Sequence, residues 1–356
     1  MRVLLVTEIP SPFRVPLFNA LAERVELRVL FLAERDPRRP HYRVHADEMR
    51  FDYRVLAGWE LARGGRWLVL TRGTRSEIRR FAPDVVVAGG WNQPAYWAAR
   101  RAAPKLAVWV ESTLADERPG TGVLERVKRR FARGADLVIV PGRASRAYAQ
   151  ALGVEDRRIR TAPNAVDTSV FAGAAVDRSG RPEPTFLYVG RLDAEKGLDV
   201  LLEAFREVPG RLVLAGSGAE GDRLRGLADE RVQFAGPVDR DDLPALYARA
   251  DVFVLPSRSE PWGMVLNEAA TAGLPLVSTD AAGAAHELIE EGVNGYVVPV
   301  DDVLALRAAL DRLARSEDLR LRLGAHSLEV AGRFTPELWA DAVVQALKPA
   351  PVPSAG

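Results

Sequence analysis

Short, continuously apolar runs recur along this chain of 356 residues, with amphipathic stretches between them. That rhythm limits the fold more than any single residue does. A strand with apolar side chains on both faces must be covered on both sides, as in a parallel sheet held between layers of helices. The first set of runs is Val3–Thr7, Glu26–Leu32, Val85–Ala88, Leu106–Val110 and Leu137–Val140. The second set is Thr185–Val189, Arg211–Ala215, Val232–Ala235, Asp251–Leu255, Pro275–Thr279 and Gly295–Val298. Between and after the second set, helices are predicted at about 197–207, 221–228, 241–248, 263–272, 285–291 and 302–316. A final one, about 336–347, starts behind a Thr-Pro cap. The length suits two domains better than one core. The expected class is α/β, with two Rossmann-like doubly wound domains facing a central cleft.

The break between the sets falls in Pro163-Asn-Ala-Val-Asp167 and continues to the breaker-rich Arg178-Ser-Gly-Arg-Pro-Glu-Pro184, which reads as a linker. Residues 33–75 are the least regular part; the polar stretch His41–Tyr53 reads as an excursion or a hairpin. Residues 348–356 read as a frayed tail.

Composition excludes several functions. Lys plus Arg number 49 and Asp plus Glu 48, so the formal net charge of +1 argues against a dedicated nucleic-acid binder. The chain has no cysteine, which removes disulfides, zinc thiolates and thiol nucleophiles. No apolar run is long enough to span a bilayer. Met1–Thr7 enters a strand directly, with neither the polar gap nor the cleavage site of a signal peptide, so a cytoplasmic protein is expected.

In a doubly wound sheet, ligands bind beyond the carboxyl ends of the strands. Glu260 follows the run Asp251–Leu255, and Glu268 lies in the helix that Pro261 and Gly263 open. The unpaired N–H groups at that helix start form an anion site. Carboxylates around an anion site fit a ligand with both hydroxyls and phosphate, such as a nucleotide sugar. Gly190-Arg-Leu-Asp-Ala-Glu-Lys-Gly197 follows Thr185–Val189. There Arg191 and Lys196 suit a diphosphate whose charge grows as it leaves, although a solvated turn would show the same residues. Gly216-Ser-Gly218 follows Arg211–Ala215 and lets backbone approach phosphate, yet tight turns also need glycine. No complete dinucleotide fingerprint or P-loop is present, and the first strand leads into the glycine-free Glu8–Arg14.

The ordered set Pro163–Asp167, Gly190-Arg191 with Glu195-Lys196-Gly197, Gly216-Ser-Gly218, Leu255-Pro-Ser257, Glu260-Pro-Trp-Gly-Met-Val-Leu-Asn-Glu268 and Asn294-Gly295 resembles the retaining nucleotide-sugar glycosyltransferases of the GT-B architecture, family 4. The resemblance covers nearly the whole chain and is strongest from Pro163 to Val298. It implies an acceptor-binding domain over residues 1–165 and a donor-binding domain over 166–331. A last segment, 332–356, would carry the helix that crosses back to the first domain. Arg191 and Lys196 would bind the donor diphosphate, Glu268 the ribose and Glu260 the donor sugar. Backbone at Gly263, Met264 and Val265 would meet sugar or phosphate. The implied reaction retains the anomeric configuration and needs no cofactor and no metal. Its acceptor would be a hydroxyl-bearing carbohydrate, lipid-linked molecule or small metabolite. A catalytically degenerate relative and a sugar-nucleotide epimerase of the same fold are the alternatives.

Two departures from the family pattern stand out. Ser11-Pro-Phe-Arg14 occupies the first loop, where many members have Gly-Gly, and Arg14 could add a cation there. Glu111 stands nearest the position where many members have a histidine, and either serves catalysis or pairs with a cleft arginine. None of the four histidines fills that role; His286 reads as local structure. Trp91, with Asn92 and Gln93, and Trp262 each read equally as a sugar platform or a packed side chain. The basic stretch Glu125–Arg133, with Leu124, Val127 and Phe131 on one side, reads as an ordinary helix packed on the sheet; weak peripheral contact with an anionic membrane is its second reading.

Overall fold

A computed structural model describes residues 1–37, 44–63, 66–116 and 120–348, with Arg63 and Arg66 described by backbone alone. The first domain contains β1 (Arg2–Thr7), α1 (Val15–Ala22), β2 (Glu26–Phe31), β3 (Asp52–Val55), β4 (Gly58–Arg63), β5 (Arg66–Thr71), α2 (Thr74–Phe81) and β6 (Val85–Ala88). It continues through α3 (Pro94–Ala102), β7 (Leu106–Trp109), α4 (Val123–Arg133), β8 (Leu137–Val140), α5 (Arg143–Ala151) and β9 (Ile159–Thr161). The second contains α6 (Thr168–Ala172), β10 (Thr185–Val189), α7 (Leu198–Phe205), β11 (Arg211–Ala215), α8 (Gly221–Leu227), β12 (Val232–Gly236), α9 (Leu243–Arg249) and β13 (Val252–Leu255). Then follow α10 (Met264–Thr271), β14 (Leu276–Thr279), α11 (Ala285–Leu288), β15 (Gly295–Val298), α12 (Val303–Ala314), α13 (Glu317–Ala331) and α14 (Pro336–Leu347).

The first sheet runs β3-β2-β1-β6-β7-β8-β9 and the second β12-β11-β10-β13-β14-β15, every pairing parallel. Both are doubly wound: the order reverses beside β1 in the first sheet and beside β10 in the second. Central strands such as β6, β8 and β13 are buried on both faces, as their unbroken apolar runs require. One face of the first sheet packs on α1 and, with Trp109, against Trp339 of α14. Its other face carries β5, α2, α3, α4 and α5.

The chain departs from the expected elements in several places. The hairpin lies at β4–β5, not within 41–53. Residues 41–43 of that stretch fall outside the described residues, and its end becomes β3, an edge strand too exposed to show an apolar run. The linker is anchored rather than slack. Asp167 caps α6 by accepting from the Ser169 N–H at 3.1 Å. The buried Arg178 donates to the carbonyls of Ala174, Ala250 and Ala272, at the ends of three helices. Helix α13 is an addition. Ser316 caps it, but the exposed Leu321 and Leu328 blur its apolar stripe. Finally, on α4 Leu124 and Val127 face solvent while Phe131 is buried, so the three do not share one fate; Glu125 and Lys128 are the buried polar pair.

Helix α14 returns to the first domain. Trp339 stacks on Trp109 at 5.1 Å between ring centroids and 20° between planes. Arg24 bonds Asp341 at 2.5 Å, and Lys105 donates to the Leu347 carbonyl at 3.1 Å.

Candidate active site

Strands β10 and β13 are neighbours, so the loops at their carboxyl ends meet although 64 positions separate Lys196 from Glu260 in the chain. The Glu195 carbonyl accepts from the Arg258 N–H at 2.8 Å and ties the two loops together. Arg258 is fixed in turn by Asp301 at 2.6 Å and Asp199 at 3.1 Å. Within this frame the buried Lys196 ammonium lies 2.8 Å from a Glu260 carboxylate oxygen. Arg191 points out, 64% exposed, with its guanidinium engaged by Asp193 and Glu195. A diphosphate arriving here would compete with those two carboxylates for the arginine fork.

Gly263 opens α10 at φ +96°, a conformation that disfavours a side chain. No side chain caps this helix, so the N–H groups of Met264 and Val265 in its first turn are left for a ligand or water. Gly216 answers a different demand. A Cβ there would lie 1.8 Å from the Gly190 carbonyl oxygen, so glycine is required first by the close approach of the two loops.

Glu268, in the middle of α10, is 1% exposed and accepts from the Tyr247 hydroxyl at 2.7 Å. Burial pushes its carboxyl up to about 7, against the opposing effects of that hydrogen bond and of Arg240. It borders a cavity of about 130 Å³ that Pro12 and Phe13 of the first domain share with Val238 and Arg240 of the second. Arg240 also crosses between the domains to Glu48 at 2.9 Å.

The first domain faces this wall with a cavity of about 350 Å³, formed by the loops after β1, β6 and β7. Arg14, Trp91, Asn92, Trp109 and Glu111 all border it. Arg14 is ion-paired with Glu111, and its guanidinium carbon lies 4.2 Å from the Trp109 ring centroid. The Arg14 position and the Glu111 position, two separate departures in the sequence, are thus one structural unit.

Residues 175–329 match the family model for glycosyl transferases group 1, and residues 17–170 match the model for glycosyltransferase family 4. The lipopolysaccharide core biosynthesis glycosyltransferase LpsE of Rhizobium meliloti is 31% identical over 297 residues, 80% of this chain and 81% of that one. The chain belongs to the family 4 glycosyltransferases. Glycogen synthase of Mycobacterium tuberculosis is 33% identical over 75% of this chain and 71% of its own. The GT-B fold follows the family. The UDP complex of HepE from Anabaena superposes with a TM-score of 0.76 at 21% identity, over 98% of this chain and 99% of that one.

Three parts of this glycosyltransferase's cleft were not legible as site residues beforehand. Asn164, buried in the hinge, donates to Glu111 at 2.8 Å, and its carbonyl accepts from Asn267 of α10 at 3.2 Å. It links the two walls directly. Tyr247 is the partner of Glu268, and Trp109 with Trp339 backs Arg14. Asn164 lies in the Pro163–Asp167 segment, which reads as a linker and a family motif but not as a contact to Glu111; Tyr247, Trp109 and Trp339 sit in ordinary strand and helix patterns, and all four meet their partners only through tertiary packing. Trp262 is buried and donates to Asn267 at 2.8 Å, so it is a packed side chain. Trp91 lies partly buried beside Tyr148, and the nearby Gln93 is buried. The His286 ring bonds the Asp280 carbonyl at 2.8 Å, while its own carbonyl accepts from Arg143 across the domain boundary.

Proposed function

We propose that this enzyme moves a sugar from a nucleoside-diphosphate sugar onto a hydroxyl acceptor, with retention of anomeric configuration and without a metal. One observation carries the reading. Lys196 is held against Glu260 at a topological switch point, beside an uncapped helix start, with the buried Glu268 further along that same helix. Arg191 and Lys196 meet the diphosphate and offset the charge that grows on it as the glycosidic bond breaks. Glu260 serves both the ammonium and the donor-sugar hydroxyls, and Glu268 takes the ribose hydroxyls. The acceptor enters through the first-domain cavity, where Glu111, held by Arg14 and Asn164, orients its hydroxyl. The leaving phosphate then takes the acceptor proton on the same face. Two solved complexes of one protein of this fold, Anabaena HepE with UDP and with UDP-glucose, make uridine the first base to try.

Thermal shifts against UDP, GDP, ADP, TDP and CDP, each with and without magnesium, test the donor site. A single nucleotide that stabilises the enzyme equally in both conditions is the expected result. A shift that requires magnesium would overturn the metal-free reading. The anomeric configuration of the transferred sugar, read by proton NMR at early times, tests retention.

A further inference from the structure

A cavity of about 200 Å³ lies at the foot of the second domain, beside the amino ends of β13 and β14 and so at the opposite end of the sheet from the cleft. Its walls are the segment after α6, the residues that lead into those two strands, and helix α13. Two of the side chains that line it are arginines, Arg178 and Arg320, only 8% and 7% exposed. Neither forms an ion pair among the described residues. Arg178 donates to five carbonyls, those of Ala174, Val176, Tyr247, Ala250 and Ala272. Burial pushes its guanidinium down to about 10; the nearby Arg181 acts in the same direction and Asp251 against it. Arg320 donates through Nη1 alone, to the carbonyls of Leu313 and Ala314 at 2.7 and 3.0 Å. Its Nε and Nη2 have no partner among the described residues. Two buried cations without a counterion are costly to hold in a folded chain.

Three carboxylates also border the cavity, and each is bound by another group. Asp251 accepts from Arg181 at 3.0 Å and from the Thr185 N–H at 2.8 Å. Asp177 accepts from the Ser179 N–H at 2.9 Å, and Glu317 from the Gly180 N–H at 2.7 Å. None of the three pairs with Arg178 or Arg320. The rim is apolar. Val176, Leu321 and Leu328 are exposed and all three line this cavity, which gives the two surface leucines of α13 a place in the fold. The floor is fixed: a Cβ at Gly324 would lie 2.4 Å from the Gly273 carbonyl oxygen, so α13 is pressed against the end of α10.

We propose that this cavity binds a small organic anion, a carboxylate on a short apolar chain, and that its occupancy tightens the donor site. The Nε and Nη2 edge of Arg320 matches a carboxylate with two parallel hydrogen bonds, and the charge of Arg178 adds to the attraction. The chain of the ligand lies on Val176, Leu321 and Leu328, an apolar lining around a few polar groups. An inorganic anion would engage the arginine but leave that rim in water. The link to the donor wall runs through Arg178. It holds the carbonyls of Tyr247, in the last turn of α9, at 3.3 Å and of Ala272, directly after α10, at 2.9 Å. These two helices carry the Tyr247–Glu268 hydrogen bond. A counterion that stabilises Arg178 in this position stabilises both helix ends together, and with them the placing of Glu268. The link rests on the reading of Glu268 as a donor-site residue; the anion site rests on buried charge and the cavity.

Saturation-transfer NMR titrations of the full chain with butyrate test it. Butyrate should bind with a Kd of about 1–10 mM, the range open to so small a ligand. Butyramide, its uncharged analogue, and inorganic phosphate, the anion without a chain, should each bind at least about tenfold more weakly. Arg320→Gln should weaken butyrate binding about tenfold. So should Ala325→Glu, which sets a carboxylate at an exposed position on the cavity wall and keeps the test open if Arg320→Gln does not fold. Saturating butyrate should tighten the nucleotide that the thermal shifts select by about fivefold, and that nucleotide should tighten butyrate by the same factor. Binding of either control as tight as butyrate, or wild-type butyrate binding by both variants, would overturn the site. Butyrate binding that leaves nucleotide affinity unchanged would overturn the link. If no nucleotide shifts the protein, the donor-site reading falls and the link with it, while the butyrate titrations still decide the site.

Discussion

The two walls of the cleft are built in different ways. The C-terminal wall is assembled within its own domain: Arg191, Lys196, Glu260 and Glu268 come from adjacent loops and one helix, and their first partners Asp193, Glu195 and Tyr247 belong to the same domain. The N-terminal wall draws on the rest of the molecule. Glu111 is held by Arg14 and by Asn164 of the hinge, Arg14 lies on Trp109, and Trp109 stacks on Trp339 of the last helix. A wall that is complete within one domain can hold one ligand chemistry while the chain around it varies. A wall assembled from four segments responds to changes in any of them. This difference agrees with where the chain departs from the family pattern, at Arg14 and Glu111, both in the first domain.

The predictions test that contrast, largest effect first. Lys196→Ala should lower turnover about 10²–10³-fold, because it removes the buried cation proposed to meet the leaving charge, while the nucleotide thermal shift largely survives. Turnover within threefold of wild type would move the chemistry away from this wall. Trp339→Ala should cost about 3–5 kcal/mol in urea unfolding, from lost packing against Trp109 and Phe18. In the folded variant, turnover should fall while nucleotide affinity holds, since only the N-terminal wall depends on the stack. Equal losses in both would show that the walls are not separable.

Glu268 gives a pH signature. Its folded carboxyl is raised to about 7, so this group makes the ligand-free protein less stable as pH climbs from the ordinary carboxylate range through about 7. In the role proposed for Glu268, ribose hydroxyls donate to the ionised form, so affinity for a nucleotide sugar should rise with pH across that value. Glu268→Gln should flatten the profile and weaken binding about tenfold on its alkaline side. Calorimetry with UDP-glucose, whose phosphates do not titrate in that range, reads both; an unchanged slope in the variant would remove Glu268 from the nucleotide site. The smallest effect belongs to the partly exposed pair Arg240–Glu48. Glu48→Gln should shift stability by no more than about 1 kcal/mol. A loss of several-fold in nucleotide affinity on that change would show that the first domain steers Arg240 in the donor wall.

The class and most of the frame were legible in the sequence. Buried parallel strands need apolar side chains on both faces, and crossover helices need caps and breakers, so β1, β6, β8, β10, β13 and α14 are readable from local pattern. The family motifs around Arg191, Lys196, Glu260 and Glu268 are readable for the same reason: each is a short contiguous segment at a strand end. Edge strand β3, the position of the β4–β5 hairpin, helix α13 with its exposed leucines and the fate of Leu124 and Val127 were not, because exposure at a sheet edge or helix surface depends on what packs alongside. That Arg14, Glu111 and Asn164 meet, and that Trp339 backs them from the far end of the chain, came from the tertiary packing. Those pairings join residues from separate segments of the chain. Their energy comes from burial and charge in a shared space that no local stretch of sequence encloses.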